Sequence, residues 1–161
     1  MALLPDDSKP SVIFAGDNPR YQPELEAYAN RLGILERVEI TGWVDQARMR
    51  EIYGSADIVV TPSTYADPFN LGNIEAMSSA CPVIASVFGG GPEIVRDGEN
   101  GYIIDPNDSP LFAQRLYSLL NDRDLRIKFG NAGRRRVLEE FTLNRQAELV
   151  MALYHRVNPS L

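Results

Sequence analysis

A regular alternation of short apolar runs with helical stretches constrains this chain more than any other feature of its sequence. SVIFAG (11–16), VEITG (38–42), DIVVT (57–61), PVIAS (82–86) and GYIID (101–105) each read as a strand. Helical patterns lie between them, over about 23–32, 45–55 and 71–79, with a short helix at 92–95. From about 109 to 157 the pattern is helical, broken near Asn121 and again near Phe141 and Thr142. Continuously apolar strands separated by helices of this length make βαβ units. The expected fold is therefore α/β, a Rossmann-like parallel sheet with helices on both faces. Ligands on such sheets bind beyond the carboxyl ends of the strands. The site is expected in the loops 16–19, 42–45, 62–71 and 87–92.

With 161 residues and no internal repeat or linker, the chain reads as one domain, 1–161. Its net charge of −6 gives no basic footprint for nucleic acid or anionic lipid. The run Arg134-Arg135-Arg136, with Glu139 and Glu140 close behind, reads as a solvated helix face with local ion pairs. Cys81 is the single cysteine, so no intrachain disulfide forms, and it reads as a buried structural thiol. His155 is the single histidine, and no His/Cys pair has metal-ligand spacing, so no metal is expected. No apolar stretch reaches the ~20 residues of a membrane span, and MALLPDDSKP lacks signal-peptide character. A cytoplasmic location is expected, with membrane-peripheral association open to a longer protein.

Two stretches carry candidate chemistry. In DPFNLGNIEAM (67–77), Asp67 precedes a turn and Glu75 lies inside the following helix. A helix start offers free N–H groups and a positive dipole end to a phosphate. A carboxylate one or two turns in can accept hydrogen bonds from a ribose diol. The bland alternative is that Asp67 merely caps the helix and Glu75 is solvated. In VFGGGPEIV (87–95), three glycines before a helix let backbone approach a ligand and form an anion-binding nest, or simply make a turn. Neither stretch is a Gly-Lys-Ser/Thr phosphate loop or a dinucleotide fingerprint. Asp105-Pro-Asn-Asp108 reads as a turn, with Ser109 capping the next helix.

Residues 56–108, ADIVVTPSTYADPFNLGNIEAMSSACPVIASVFGGGPEIVRDGENGYIIDPND, resemble the C-terminal donor domain of the large retaining glycosyltransferase family with the GT-B fold. GDNP (16–19), VEITGWV (38–44) and FGNAGRRRVLEEFT (129–142) fall in the order that family shows, so the resemblance covers about 11–157. It implies that Glu75, the second carboxylate of the family's Glu-x7-Glu pattern, binds the ribose hydroxyls. Asp67 stands at the first carboxylate, which contacts the donor sugar near the reacting carbon, with Asp in place of Glu. Phe69, Asn70 and Leu71 match positions whose backbone N–H groups touch sugar hydroxyls and phosphate, Asn70 replacing the usual Gly. Ala80 stands where Gly is common, and Gly89 and Gly90 match the glycine pair near the diphosphate. Val44 matches the position whose backbone meets the nucleobase, and Gly16 opens the loop after the first strand. The family typically needs no metal and no cofactor beyond the nucleotide-sugar donor.

Two family elements are not found in this sequence. One is the acceptor-binding domain, expected in cis or in trans. The other is an opening strand and helix carrying an Arg and a Lys, since Lys9 does not match that motif. In strand order 3-2-1-4-5-6 that strand is central. Without it the first and third strands either pair directly or leave two open edges, which invites self-association. The expected function is nucleotide-sugar binding for a retaining glycosyl transfer, incomplete in this chain alone. The alternatives are a non-catalytic nucleotide-binding or assembly module, or a fragment of a sugar-nucleotide epimerase of the same fold. A dinucleotide-dependent oxidoreductase lacks its glycine fingerprint after the first strand.

Overall fold

In a computed structural model of the chain, residues 3–5, 10–17 and 19–158 are described. Lys9 and Asn18 of the sequence reading lie outside them. The chain alternates five strands with helices, as its apolar runs predict. The strands are β1 (Val12–Ala15), β2 (Val38–Gly42), β3 (Val59–Thr61), β4 (Val83–Ser86) and β5 (Gly101–Ile104). The helices are α1 (Gln22–Arg31), α2 (Gln46–Ser55), α3 (Leu71–Ser78), α4 (Gly91–Ile94), α5 (Ser109–Asn121), α6 (Arg123–Glu140) and α7 (Leu143–Val157). Local chemistry sets several helix starts. Asp45, Asp122 and Thr142 cap α2, α6 and α7 by accepting the N–H three residues on. Asp108, not the expected Ser109, caps α5, its Oδ1 accepting the Leu111 N–H at 3.0 Å. Asp and Ser stand side by side there, and the chain enters the helix one residue earlier.

All strand pairing is parallel, but the expected single sheet is split. β3, β4 and β5 form one sheet in that order, with Val83 opposite both Val59 and Gly101. β1 and β2 form a second, with Val12 opposite Val38. β1 and β3 do not pair, so each carries an unpaired edge, the second of the two arrangements foreseen.

The core lies on both faces of the larger sheet. β4 is buried along its whole length. Val83 and Ala85 pack with Ala76 and Met77 of α3, Ile94 of α4 and Val137 of α6. Ile84 points the other way, to Tyr102, Ile104, Leu119 and Phe129. Side-chain alternation along a strand thus feeds two apolar layers. Each fully buried large side chain contributes about 1.5–3 kcal/mol. Arg136 departs from the solvated-face reading: its side chain is only 12% exposed. It pairs with Glu140 at 3.1 Å and donates to the Glu93 carbonyl, tying α6 to α4. By contrast β1 leaves Ile13 and Phe14 exposed, and α7 buries no residue.

α6 approaches the end of α3 very closely. A Cβ on Gly130 would lie 2.0 Å from the carbonyl oxygen of Ala80. Ala80 itself holds φ +57°, a left-handed conformation that favours glycine. Cys81 follows, buried, its thiol donating to the Ala56 carbonyl at 3.3 Å. Burial, helped by the charge of Asp57, pushes that thiol from 9.0 up to about 12, and a bond from Val59 opposes the rise.

Gly130→Ala is expected to cost ~1–3 kcal/mol by overpacking, although alanine is the better helix former. Ala80→Gly is expected to gain up to ~1 kcal/mol by relieving backbone strain. Denaturant melts of both variants check the two signs. Cys81 is expected to resist a thiol-specific reagent at pH 8 in the native chain and to react once unfolded. Because its folded pKa is raised, its contribution to stability is intact below about 9 and is lost as pH climbs toward about 12.

Candidate functional site

The loops following β3 and β4 meet at the carboxyl end of the larger sheet. After β3 the chain bends tightly: the Asp67 N–H donates to the Tyr65 carbonyl at 2.9 Å. Asp67 Oδ1 accepts the Phe69 N–H at 3.3 Å. The Asp67 carbonyl accepts the Gly90 N–H at 2.8 Å, joining the two loops. Glycine is required for that approach. A Cβ on Gly89, whose φ is +74°, would sit 2.0 Å from the Asp67 carbonyl oxygen, and one on Gly90 would sit 2.4 Å from that of Pro68. The glycine run therefore does more than turn the chain, since its missing side chains seat the Asp67 loop.

Beneath the loops is a small polar cleft that includes Thr61, Asp67, Asn70, Asn73, Ser86 and Phe88. Thr61 Oγ1 donates to Asn73 Oδ1 at 2.7 Å. Ser86 Oγ donates to the Ser63 carbonyl at 2.7 Å and accepts the Phe88 N–H at 3.1 Å. These bonds fix the ends of β3 and β4 relative to α3. No lysine or arginine lines this cleft among the described residues. A larger groove, about 480 Å³, lies between the 96–100 turn and α6, away from the converging loops. There Arg96 and Arg136 are both paired with Glu140.

α3 rises from this cleft. Asn70, not Asp67, occupies its N-cap, and the Asn70 side chain makes no capping bond. The reading of Asp67 as a mere cap therefore fails. In the first turn of α3 the Asn73 N–H donates to the Asn70 carbonyl at 3.1 Å, which leaves the N–H groups of Leu71 and Gly72 facing the helix start. Leu71, the first residue of α3, is 61% exposed. Phe69 is steadied by a tilted contact with Phe141, ring centroids 6.2 Å apart. Glu75 is exposed on α3, and its Oε2 accepts a hydrogen bond from Tyr53 Oη of α2 at 3.1 Å. Burial, then the charge of Glu75 and this bond, push the Tyr53 hydroxyl up to about 12, so it remains a donor at neutral pH.

Gly16 and Val44 form a second group, on the smaller sheet. The Gly16 N–H donates to the Gly42 carbonyl at 3.1 Å, and Val44 follows two residues later. Among the described residues no hydrogen bond or ion pair joins this group to Asp67 or Glu75. α2, which begins just after Val44 and carries Tyr53, runs from one group to the other. Sequence reasoning missed Tyr53, Thr61, Asn73 and Ser86. The one usable signal was an asparagine, Asn73, inside a helix among apolar neighbours, where a buried polar partner is needed. Among the described residues no cluster of His, Cys, Asp or Glu is placed to hold a metal ion.

Residues 1–136 match the family model described as glycosyl transferases group 1. The chain is 35% identical to alpha-maltose-1-phosphate synthase of Mycolicibacterium smegmatis over 161 residues, covering 91% of this chain and 40% of the relative. Among solved structures it is similar to sucrose-phosphate synthase of Thermosynechococcus elongatus, with TM-score 0.83 and 28% identity, over 94% of this chain and 39% of that one. It is also similar to Anabaena Alr3699/HepE in complex with UDP, with TM-score 0.84 and 25% identity, over 95% of this chain and 42% of that one. The chain thus spans about two fifths of the length of these relatives. The split α/β fold is consistent with the C-terminal Rossmann-like half of GT-B glycosyltransferases.

Gly89→Ala is expected to displace the Asp67 loop and lower affinity for any ligand of the cleft at least tenfold. The larger sheet, whose core lies elsewhere, stays folded. Circular dichroism alongside a ligand titration separates the two effects.

Proposed function

The chain belongs to the group 1 glycosyl transferases, and from that premise we propose that it binds the nucleotide-sugar donor for a retaining glycosyl transfer. The observation that carries the reading is the convergence of Asp67, the α3 start and the Gly89–Gly90 turn, locked by the Gly90 N–H to Asp67 carbonyl bond. The backbone N–H groups of Leu71 and Gly72 at the helix start and of Gly89 in the glycine turn suit the diphosphate, while the Gly90 N–H serves to hold the Asp67 loop. Glu75 suits the ribose diol, Asp67 a donor-sugar hydroxyl, and the backbone at Val44 and Gly16 the nucleobase side. Complexes of the related Alr3699/HepE with UDP and with UDP-glucose support a nucleotide-sugar ligand.

In the transfer itself the bond between the anomeric carbon and the diphosphate breaks through an oxocarbenium-like state. The acceptor oxygen bonds on the same face, its proton passing to the departing diphosphate. Charge on that diphosphate calls for donors aimed where it develops. The cleft supplies N–H dipoles but no cationic side chain. Turnover therefore requires cationic donors beyond those of the cleft, as well as an acceptor-binding domain in cis or in trans, and the isolated chain is inactive without them. No metal takes part. The reading places this chemistry in the cytoplasm, in the building of a polysaccharide. A binding module without turnover is the second reading, favoured by the Asp67 carboxylate already accepting a bond from its own loop. The unpaired edges of β1 and β3 accept further strands, so the isolated chain self-associates.

Calorimetric titration with UDP, GDP and ADP is expected to show micromolar to low-millimolar binding of one of them, and silence with all three overturns the reading. Glu75→Gln is expected to weaken that binding by ~1.5–3 kcal/mol in a folded chain. Sedimentation is expected to give a mass that rises with concentration. A monomer throughout the range removes the assembly claim.

A further inference from the structure

Glu75 stands exposed on α3, where a glutamate side chain ordinarily samples many rotamers. Here one of its oxygens is held. Tyr53 Oη donates to Oε2 at 3.1 Å from a different helix, 22 residues earlier in the chain. The tyrosine ring is half-buried and packs against the core cluster around Ala76 and Met77, so the hydroxyl is carried by an anchored ring. Serines 78 and 79 both donate to the Glu75 carbonyl, steadying its backbone, yet neither touches the carboxylate. The space around the hydroxyl is kept open by Gly72, one turn before Glu75. A Cβ there would lie 3.4 Å from Tyr53 Oη and 3.1 Å from Asn70 Oδ1.

We propose that Tyr53 is a positioning residue that sets the ribose selectivity of the donor site: by holding Oε2 of Glu75 it presents Oε1 to the vicinal hydroxyls of the nucleotide. The inference rests on the reading of Glu75 as the ribose ligand. Oxygens of one carboxylate can each accept more than one bond, so Oε1 takes a diol without releasing the tyrosine. The tyrosine hydroxyl, kept protonated far above neutral pH, cannot turn into a repelling phenolate there. Removing it leaves the ring, and with it the core packing, in place. The carboxylate then regains its rotamers, and a nucleotide has to order it on binding.

The test uses the chain as it stands and the pairs UDP and 2′-deoxy-UDP, GDP and 2′-deoxy-GDP, ADP and 2′-deoxy-ADP. Calorimetry gives the ratio of deoxy to ribo dissociation constants for wild type, Glu75→Gln and Tyr53→Phe, and a thermal melt checks each fold. Wild type is expected to favour one ribonucleotide, with a ratio well above one. Glu75→Gln brings the ratio toward one. Tyr53→Phe weakens the ribonucleotide ~2- to 12-fold, the range of one net hydrogen bond, weakens its deoxy counterpart, which keeps only the 3′-hydroxyl, by less and so lowers the ratio. Equal weakening of both nucleotides, or no change, overturns the role of Tyr53 while the Glu75 result stands. A ratio unmoved by Glu75→Gln overturns the ribose assignment and this inference with it, as does a wild type that binds no nucleotide.

Discussion

Everything at the site hangs from β4. Its four residues are sealed from solvent on both faces, and every backbone group must find a partner within the sheet. The neighbours β3 and β5 supply those partners in a fixed parallel register. Once the register is fixed, the loops leaving the carboxyl ends of β3 and β4 emerge side by side. Ser86, the last residue of β4, then pins the β3 loop through the Ser63 carbonyl. The site is thus a consequence of core burial, and its geometry is inherited from Val83, Ile84 and Ala85, which are wholly buried.

Recognition at such a place relies mostly on backbone. Glycines 89 and 90 are held against Asp67 and Pro68 by the absence of side chains, and the start of α3 offers N–H groups where side-chain charge is lacking. Main-chain donors lose little freedom when a ligand arrives, because the fold has already ordered them.

The strands and helices were legible because apolar periodicity is a local property. Val83 to Ser86 reads as a buried strand from its own four side chains, and α3 reads from its neighbours. Asp67 with Glu75, and Gly89 with Gly90, stood out as candidates because each pair lies within one short stretch of sequence. What escaped the reading was set across the fold. The bond between Tyr53 and Glu75 joins two helices, and neither residue announces the other. Arg136 looked like one of three equivalent arginines until α4 and Phe141 closed over it. The split of the sheet was bounded to two outcomes, and only packing chose between them. The α5 cap went to Asp108 because two good caps were adjacent and backbone geometry took the earlier one.

The two sheets share no strand pairing, yet the candidate residues are divided between them: Gly16 and Val44 on one side, Asp67, Glu75 and the glycine turn on the other. A molecule touching both groups acts as a clamp. Part of its intrinsic affinity is then spent holding the sheets in one arrangement, and the same amount returns as resistance of the smaller sheet to coming away. Occupancy and local cohesion are reciprocally linked by mass action. Whatever braces β1 and β2 from outside therefore tightens the grip on such a molecule, without adding a single contact to it.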